Sequence, residues 1–424
     1  MDLACRNNPD IAAAAERVAA AQGTLDEAYS YYWPVLQVME RYTMTDQPSR
    51  AFANILDQGR FNNGMDFNNP GIVSNFRTGL TGSITLYDGG RRRARVSAAT
   101  AVKESLAAIR ESVRRDIAYE VARAWFLIFK AREAAAAQEK SIDTLSAHLR
   151  IAEARQSAGA IRRSDVLAVQ VRLAETRETA IVARNSSIRA ESALRLVMGL
   201  GTADTLELIP PTPSDIPARP PLEPLVQRAR QQRPEILRAQ KEVEAAAAKV
   251  REAHAGYYPE ITIFGDLGFD SKRPTLDRAS WLWGVSFMES IFDAFRTPAR
   301  VAQAMANLKG AHAAGRKTVL QIEMDVKNSL LDAEEADART EVASQAVGLA
   351  KESLRLVEAE YQEGTADITR LLESELSLTR ARTRLSASDY DRTLSRIAMA
   401  HATGDYPAAP ATAVAGRPEQ ENQK

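Results

Sequence analysis

The chain has 424 residues, with 55 basic side chains against 55 acidic ones and a single cysteine. Charges interrupt every apolar stretch, so no segment reaches the roughly 20 apolar residues that a membrane-spanning helix needs. Zero net charge argues against a sequence-independent nucleic-acid binder. One cysteine, Cys5, excludes a disulfide framework and a cysteine zinc site. The histidines (His148, His254, His312, His401) have no second ligand at a helical offset, so no metal or cofactor is expected.

Gly and Pro gather at 34–90, 199–224, 256–298 and 404–418, leaving Ala-rich, breaker-poor stretches between them that read as long helices. A first helix runs from Asn7-Asn8-Pro9 to the stop Tyr31-Tyr32-Trp33-Pro34. A strand over about 35–46 sets Leu36, Val38, Tyr42 and Met44 against Gln37, Arg41 and Thr43, with Glu40 anomalous on the apolar side. Residues 47–71 read as an extended, polar, surface-exposed loop. A second strand over about 73–87 sets Phe76, Leu80, Ile84 and Leu86 against Arg77, Thr81, Ser83 and Thr85. A long helix follows, broken at Gly159, and a return helix closes at Gly199.

The second half repeats this plan. "NNPDIAAAAERV" from Asn7 is echoed by "QRPEILRAQKEV" from Gln232, and "YYWP" by "GYYP" at 256–259, about 225 residues on. "ITLYDGGRRRARV" is echoed by "ESIFDAFRTPARV", Gly159 by Gly364 and Gly199 by Gly404, about 205 residues on. Landmarks in one order twice predict a duplication. The first repeat occupies 1–206, a Pro-rich linker 207–230, the second repeat 231–404 and a disordered tail 405–424. Strands in the second repeat are expected at about 260–270 and 281–292.

Each half should carry helices of about 25, 68 and 39 residues, or about 37, 100 and 58 Å, the two shorter ones laid end to end beside the long one. Heptads support such a rod. Val319, Val326, Ala333, Thr340, Val347, Leu354 and Tyr361 recur every seven residues, with Ile322, Ser329, Ala336, Ala343, Ala350 and Val357 offset by three. Val121, Ile128, Ala135, Ile142 and Leu149 repeat the row in the first half. The core stripe of a globular bundle would give the same spacing.

Strands of about 10 residues, apolar on one side and polar on the other, carry the signature of an outer-membrane barrel, although an amphipathic sheet packed on helices alternates too. Tyr31, Tyr32, Trp33, Tyr257, Tyr258, Trp281 and Phe292 near the strand ends read as an interfacial belt. Four strands enclose no lumen, and an open sheet cannot face lipid with unpaired edges. Three copies would supply twelve strands. The predicted class is therefore mainly α with a small β part: long coiled-coil hairpins plus four strands per protomer of a trimeric 12-stranded barrel.

In this order, twice over, the motifs "NNP", "YYWP" and "GYYP", "LYDGGRRRARV" and "IFDAFRTPARV", "SAGAIRRSDVLAVQ" and "QEGTADITRLLESE" resemble the TolC-like outer membrane efflux family across roughly residues 7–404. The resemblance implies a homotrimeric exit duct of a tripartite efflux or type I secretion system in the outer membrane of a Gram-negative bacterium. Its partners would be outer membrane lipid, a periplasmic adaptor and an inner-membrane transporter of RND, ABC or MFS type, without nucleic acid or cofactor. It also implies that the tips, Gly159-Ala160 and Gly364-Thr365, dock the adaptor. Beyond them Arg162, Arg163, Asp165, Asp367, Arg370 and Glu373 would form the periplasmic gate. Acidic groups six and nine positions past the tip glycine constrict the family's entrance. Asp165 and Glu373 match, while Arg370 departs from that pattern. The chain opens Met1-Asp2-Leu3 without the basic and apolar regions of a signal peptide, as expected of a mature form or a truncated start. No paired nucleophile and base appear, so no enzyme is expected. The alternative is a soluble coiled-coil scaffold or adaptor without channel activity.

Overall fold

A computed structural model describes residues 1–210 and 220–405. The protein is mostly helical with one four-stranded antiparallel sheet. In chain order the elements are α1 (Asp2–Asn7), α2 (Pro9–Ser30), β1 (Val35–Thr45), α3 (Pro48–Asp57), β2 (Val73–Tyr87), α4 (Arg91–Ser157) and α5 (Arg163–Val197). Then come α6 (Leu222–Gln232), α7 (Pro234–His254), β3 (Glu260–Ser271), β4 (Ala279–Met288), α8 (Arg296–Gln362) and α9 (Ile368–Thr403). The long helices α4 and α8 have 67 residues each, and the return helices α5 and α9 have 35 and 36. Two compact units divide the chain: Met1–Glu16, Ala108–Leu237 and Arg316 onward, and Arg17–Ala107 with Arg238–Gly315. Each draws on both halves of the sequence.

In the sheet-bearing unit the strands lie in the order β1-β2-β3-β4, leaving β1 and β4 with one unpaired edge each. Val35 pairs with Ser83 and Thr45 with Val73; Phe76 pairs with Ser271; Glu260 pairs with Met288 and Phe269 with Ala279. This register gathers Leu36, Val38, Tyr42, Phe76, Leu80, Ile84, Ile263, Leu267, Trp281, Trp283, Val285 and Phe287 on one face. Most of that face is open, with Val38 at 79% exposure and Trp281 at 73%. Gln37, Arg41, Asn75, Arg77, Thr81, Ser83, Thr85, Asp266 and Asp270 share the other face. There Asn75 Nδ2 donates to Asp270 Oδ1 at 2.6 Å, and Arg77 bridges Asp270 and Asp266. Glu40 does fall on the apolar face, opposite Thr78, whose hydroxyl donates to its carboxylate.

Three expectations need correction. Residues 47–71 are not an extended polar loop, because α3 forms there with Ala51 and Ile55, one turn apart, buried against Val73 and Met65. Phe52, Phe61 and Phe67 stack around it with ring centroids 4.5–5.9 Å apart. Gln58 Nε2 then ties its end to Ser74 O and Asn75 Oδ1, both at 2.8 Å. β4 stops at Met288 rather than 292, since its partner β3 begins opposite that residue at Glu260. Part of the expected linker is the helix α6, whose Leu225, Val226 and Ala229 bury against Ile322, Val326 and Ala402. Residues 211–219 of that linker, and the expected tail from 406 on, lie outside the described residues.

In the other unit, α1 packs Ala4 against Val121, Ala124 and Ile128 of α4 and Leu194 of α5. α6 occupies the corresponding place beside α8 and α9. α1 is separate from α2: the chain breaks at Asn8, whose Oδ1 accepts from the Asp10 N–H at 2.8 Å while its Nδ2 donates to Val197 O at 2.7 Å. The heptad row of α8 is buried or half-buried at every predicted position from Ile322 to Tyr361, with Val326 and Ala333 fully enclosed.

Candidate functional site

Both helical reversals are built by one device. Gly159 and Gly364 have φ of +74° and +80°. At the first, Ala160 N donates to Arg155 O at 2.9 Å and Gly159 N to Gln156 O at 2.9 Å. At the second, Thr365 N donates to Glu360 O at 2.9 Å and Gly364 N to Tyr361 O at 3.2 Å. These are Schellman caps, which satisfy the last helical carbonyls and require a left-handed residue. Gly199 and Gly404 end the return helices with the same pair of bonds. A Cβ on Gly199 would sit 2.4 Å from Asn7 O, and one on Gly404 3.0 Å from Gln232 Cβ. Each closing glycine is thus pressed against the "NNP" or "QRP" segment that opens its half.

Just past the tips, Val166, Val169 and Leu173 of α5 bury with Ile368, Leu371 and Leu372 of α9, Leu145 and Ala152 of α4 and Val357 of α8. This core fixes the charged residues around it. Asp165 Oδ2 accepts from the Arg162 N–H at 3.1 Å and so caps α5, while Asp367 Oδ1 accepts from the Arg370 N–H at 2.8 Å and caps α9. The Arg370 guanidinium reaches Glu360 at 3.1 Å. Arg162, Arg163 and Glu373 point into solvent. Within one chain these six residues form two capped turns, one per hairpin, rather than one cluster.

Two polar contacts that the sequence reading passed over join the hairpins close to the tips. His148 Nε2 lies 2.5 Å from Glu375 Oε1, linking α4 to α9. The hydrogen bond to Glu375 raises the His148 pKa, burial opposes it, and the charges of Glu375 and Glu358 add to the rise. The Arg155 guanidinium lies 5.0 Å from the centre of the Tyr361 ring, linking α4 to α8. His148 sits between the core positions Leu145 and Leu149, and that heptad neighbourhood was the available signal.

In the sheet-bearing unit, the aromatic residues Tyr31, Tyr32, Trp33, Tyr257, Tyr258 and Phe292 are exposed where the strands meet the helices. Trp281, also exposed, lies toward the opposite end of β4. Arg92 stacks 4.8 Å from the Tyr32 ring centre and Arg95 5.0 Å from that of Tyr31. Arg92 is held by Asp88, whose carboxylate also accepts from the Gly90 and Arg92 N–H groups at 3.1 and 2.9 Å. At the corresponding turn of the second half, Asp293 accepts from the Thr297 N–H at 2.8 Å and from its hydroxyl at 2.6 Å. Among the described residues no helix is long and apolar enough to cross a membrane, and no group of His, Cys, Asp and Glu is placed to hold a metal ion.

Comparison with known proteins agrees with this architecture. Outer membrane protein OprJ of Pseudomonas aeruginosa is 31% identical over 196 residues, which is 43% of this chain and 39% of OprJ. The chain thus matches about two-fifths of that relative's length. The crystal structure of a membrane protein from Pseudomonas aeruginosa superposes with a TM-score of 0.82 at 20% identity, covering 95% of this chain and 92% of that one. The outer membrane protein VceC from Vibrio cholerae gives 0.80 at 20% identity, covering 95% of both chains. The family model for outer membrane efflux proteins matches residues 1–200 and 225–405. The chain belongs to the outer membrane efflux protein family.

Proposed function

We propose that three copies of this chain close a twelve-stranded barrel in the outer membrane of a Gram-negative bacterium and form the exit duct of a tripartite efflux or type I secretion system. The observation that carries this reading is the sheet itself. It has one apolar, exposed face and two unpaired edges, β1 and β4. A lone sheet of this kind would leave edge N–H and C=O groups unsatisfied in lipid, whereas joining β4 of one copy to β1 of the next satisfies them. The helices support the same closure. Leu167, Val171, Ile181 and Ile188 leave an apolar row open on α5, and Val342, Leu349 and Leu356 leave another on α8 at seven-residue spacing. Neighbouring copies would cover both.

In this assembly the two halves act as a duplicated unit joined through the segment around 207–230. The tips at Gly159-Ala160 and Gly364-Thr365 meet a periplasmic adaptor, and each charged residue beyond them becomes a ring of three. The duct conducts passively. Driving energy comes from an inner-membrane transporter, and the protein catalyses no reaction. Reconstitution of the purified chain into planar bilayers tests the reading, with oligomeric state read in detergent by native mass spectrometry. Trimers with stepwise conductance are expected. A monomer that stays in solution without detergent and gives no conductance would overturn it and favour the soluble scaffold.

A further inference from the structure

Within the sheet-bearing unit, the first turns of α4 and α8 and the last turns of α7 form a groove whose charge is one-sided. Arg91 and Arg95 of α4, Lys249 of α7, and Arg296 and Arg300 of α8 line it, and Glu252 is the one carboxylate in its lining. Glu252 is shared between Arg95 at 2.7 Å and Lys249 at 2.8 Å, and Arg91 leans on Glu260 at 3.6 Å. Arg296 and Arg300 are exposed and form no salt bridge with any described residue. The floor is closely packed: Thr297 is buried, and a Cβ on Gly256 would come 3.0 Å from its hydroxyl. Several cations converging from three helices repel one another unless an anion joins them.

The position of the groove narrows the choice of anion. It begins just past Tyr87 at the end of β2, before the start of β3 at Glu260, where the apolar face of the sheet gives way to exposed Tyr31, Tyr257 and Tyr258. Aromatic residues of this kind mark headgroup depth, and basic pockets at that depth take anionic lipid headgroups. Guanidinium forks suit the paired oxygens of a phosphate. We propose that this groove binds a phosphate group, supplied by an anionic phospholipid headgroup at the membrane surface. The lipid source rests on the proposed membrane insertion of the sheet; the phosphate chemistry of the groove does not.

The test uses the full chain in bilayer nanodiscs of phosphatidylglycerol with phosphatidylcholine, and native mass spectrometry to count retained lipid. Wild type should retain phosphatidylglycerol over phosphatidylcholine. Arg296→Ala with Arg300→Ala should lower that retention about tenfold, Lys at both positions should restore it only in part because the charge returns without the fork, and Arg184→Ala with Arg189→Ala on α5 should leave it unchanged. Circular dichroism checks that each variant is folded. A second arm titrates inorganic pyrophosphate against the same proteins in detergent. Pyrophosphate binding that depends on Arg296 and Arg300, without lipid retention, keeps the site and assigns its phosphate to the aqueous side. Equal binding of both probes by wild type and the double Ala variant, or no binding of either, overturns the proposal. A chain that enters no bilayer of any composition counts against the proposed function, and the pyrophosphate arm still decides the groove.

Discussion

His148 and Glu375 form a polar contact that joins the first hairpin to the second, and its strength depends on a proton. The hydrogen bond to Glu375 holds the imidazole pKa above its unfolded value, so the folded state binds the proton more tightly. The pair therefore stabilises fully below the unfolded pKa of about 6.5 and loses its contribution as pH rises through the raised folded value. Melting temperatures of wild type and His148→Gln, followed from about pH 5 to about pH 9, should differ most at the acidic end and converge at the alkaline end. A gap independent of pH would mean that His148 acts through packing alone. Arg370 poses a separate question at the same scale. Its contact with Glu360 stays within one hairpin, with Arg370 exposed and Glu360 half-buried, so its loss costs the fold little. If three Arg370 side chains crowd a shared entrance, Arg370→Ala widens it, and single-channel conductance should rise. Asp165→Ala should raise it too, at a cost of about 1 kcal/mol because that carboxylate also caps α5. Unchanged conductance in both variants would remove these residues from the gate. The sequence placed these residues near the tips from glycine spacing alone. It could not tell a helix cap from a ring residue, because Asp at the third position of a helix suits both.

Between strand and long helix the two halves make the same turn with different residues. The first half uses Gly89 and Gly90 at φ of +67° and +85°; the second uses Ala294 and Phe295 at +53° and +64°. Left-handed backbone costs a residue with a Cβ about 1–2 kcal/mol. Gly at 294 would relieve that cost, less about 0.5–1 kcal/mol of added unfolded-chain entropy. Ala294→Gly should therefore raise the melting temperature slightly, by about 1–2 °C. Gly89→Ala should lower it, because a Cβ there would lie 2.6 Å from Tyr258 Cβ as well as straining the backbone. A fall in the first variant would show that Ala294 is held by contacts worth more than its strain. The long helices, their breaks and the four strands were legible because period and punctuation are local properties. α3 was not, because the pair Ala51 and Ile55 is short and its meaning depends on Val73 and Met65, which only the folded sheet brings near. α6 was hidden in the same way: its apolar residues are read correctly only beside Ile322 and Val326.

For the whole molecule, the decisive surfaces are those that one chain leaves uncovered. Leu349 is 75% exposed on a helix whose opposite row is closed, and Ile181 is 62% exposed on α5. These two rows lie on different helices, so in the proposed assembly a contact between them would be heterologous: α5 of one copy would meet α8 of the next, and rotation would close a ring. The sheet obeys the same rule, with β4 offered at one edge and β1 at the other. Burying each side chain should contribute about 1.5–3 kcal/mol, while a carboxylate in its place would be desolvated without a partner. Ile181→Glu or Leu349→Glu alone should reduce the trimer fraction in detergent. The two together should leave mostly monomer, with the helical content of each chain retained because neither residue faces its own core. An intact trimer in the double variant would show that the sheet edges alone hold the copies together, and that the helical rows meet something other than a second copy of this chain.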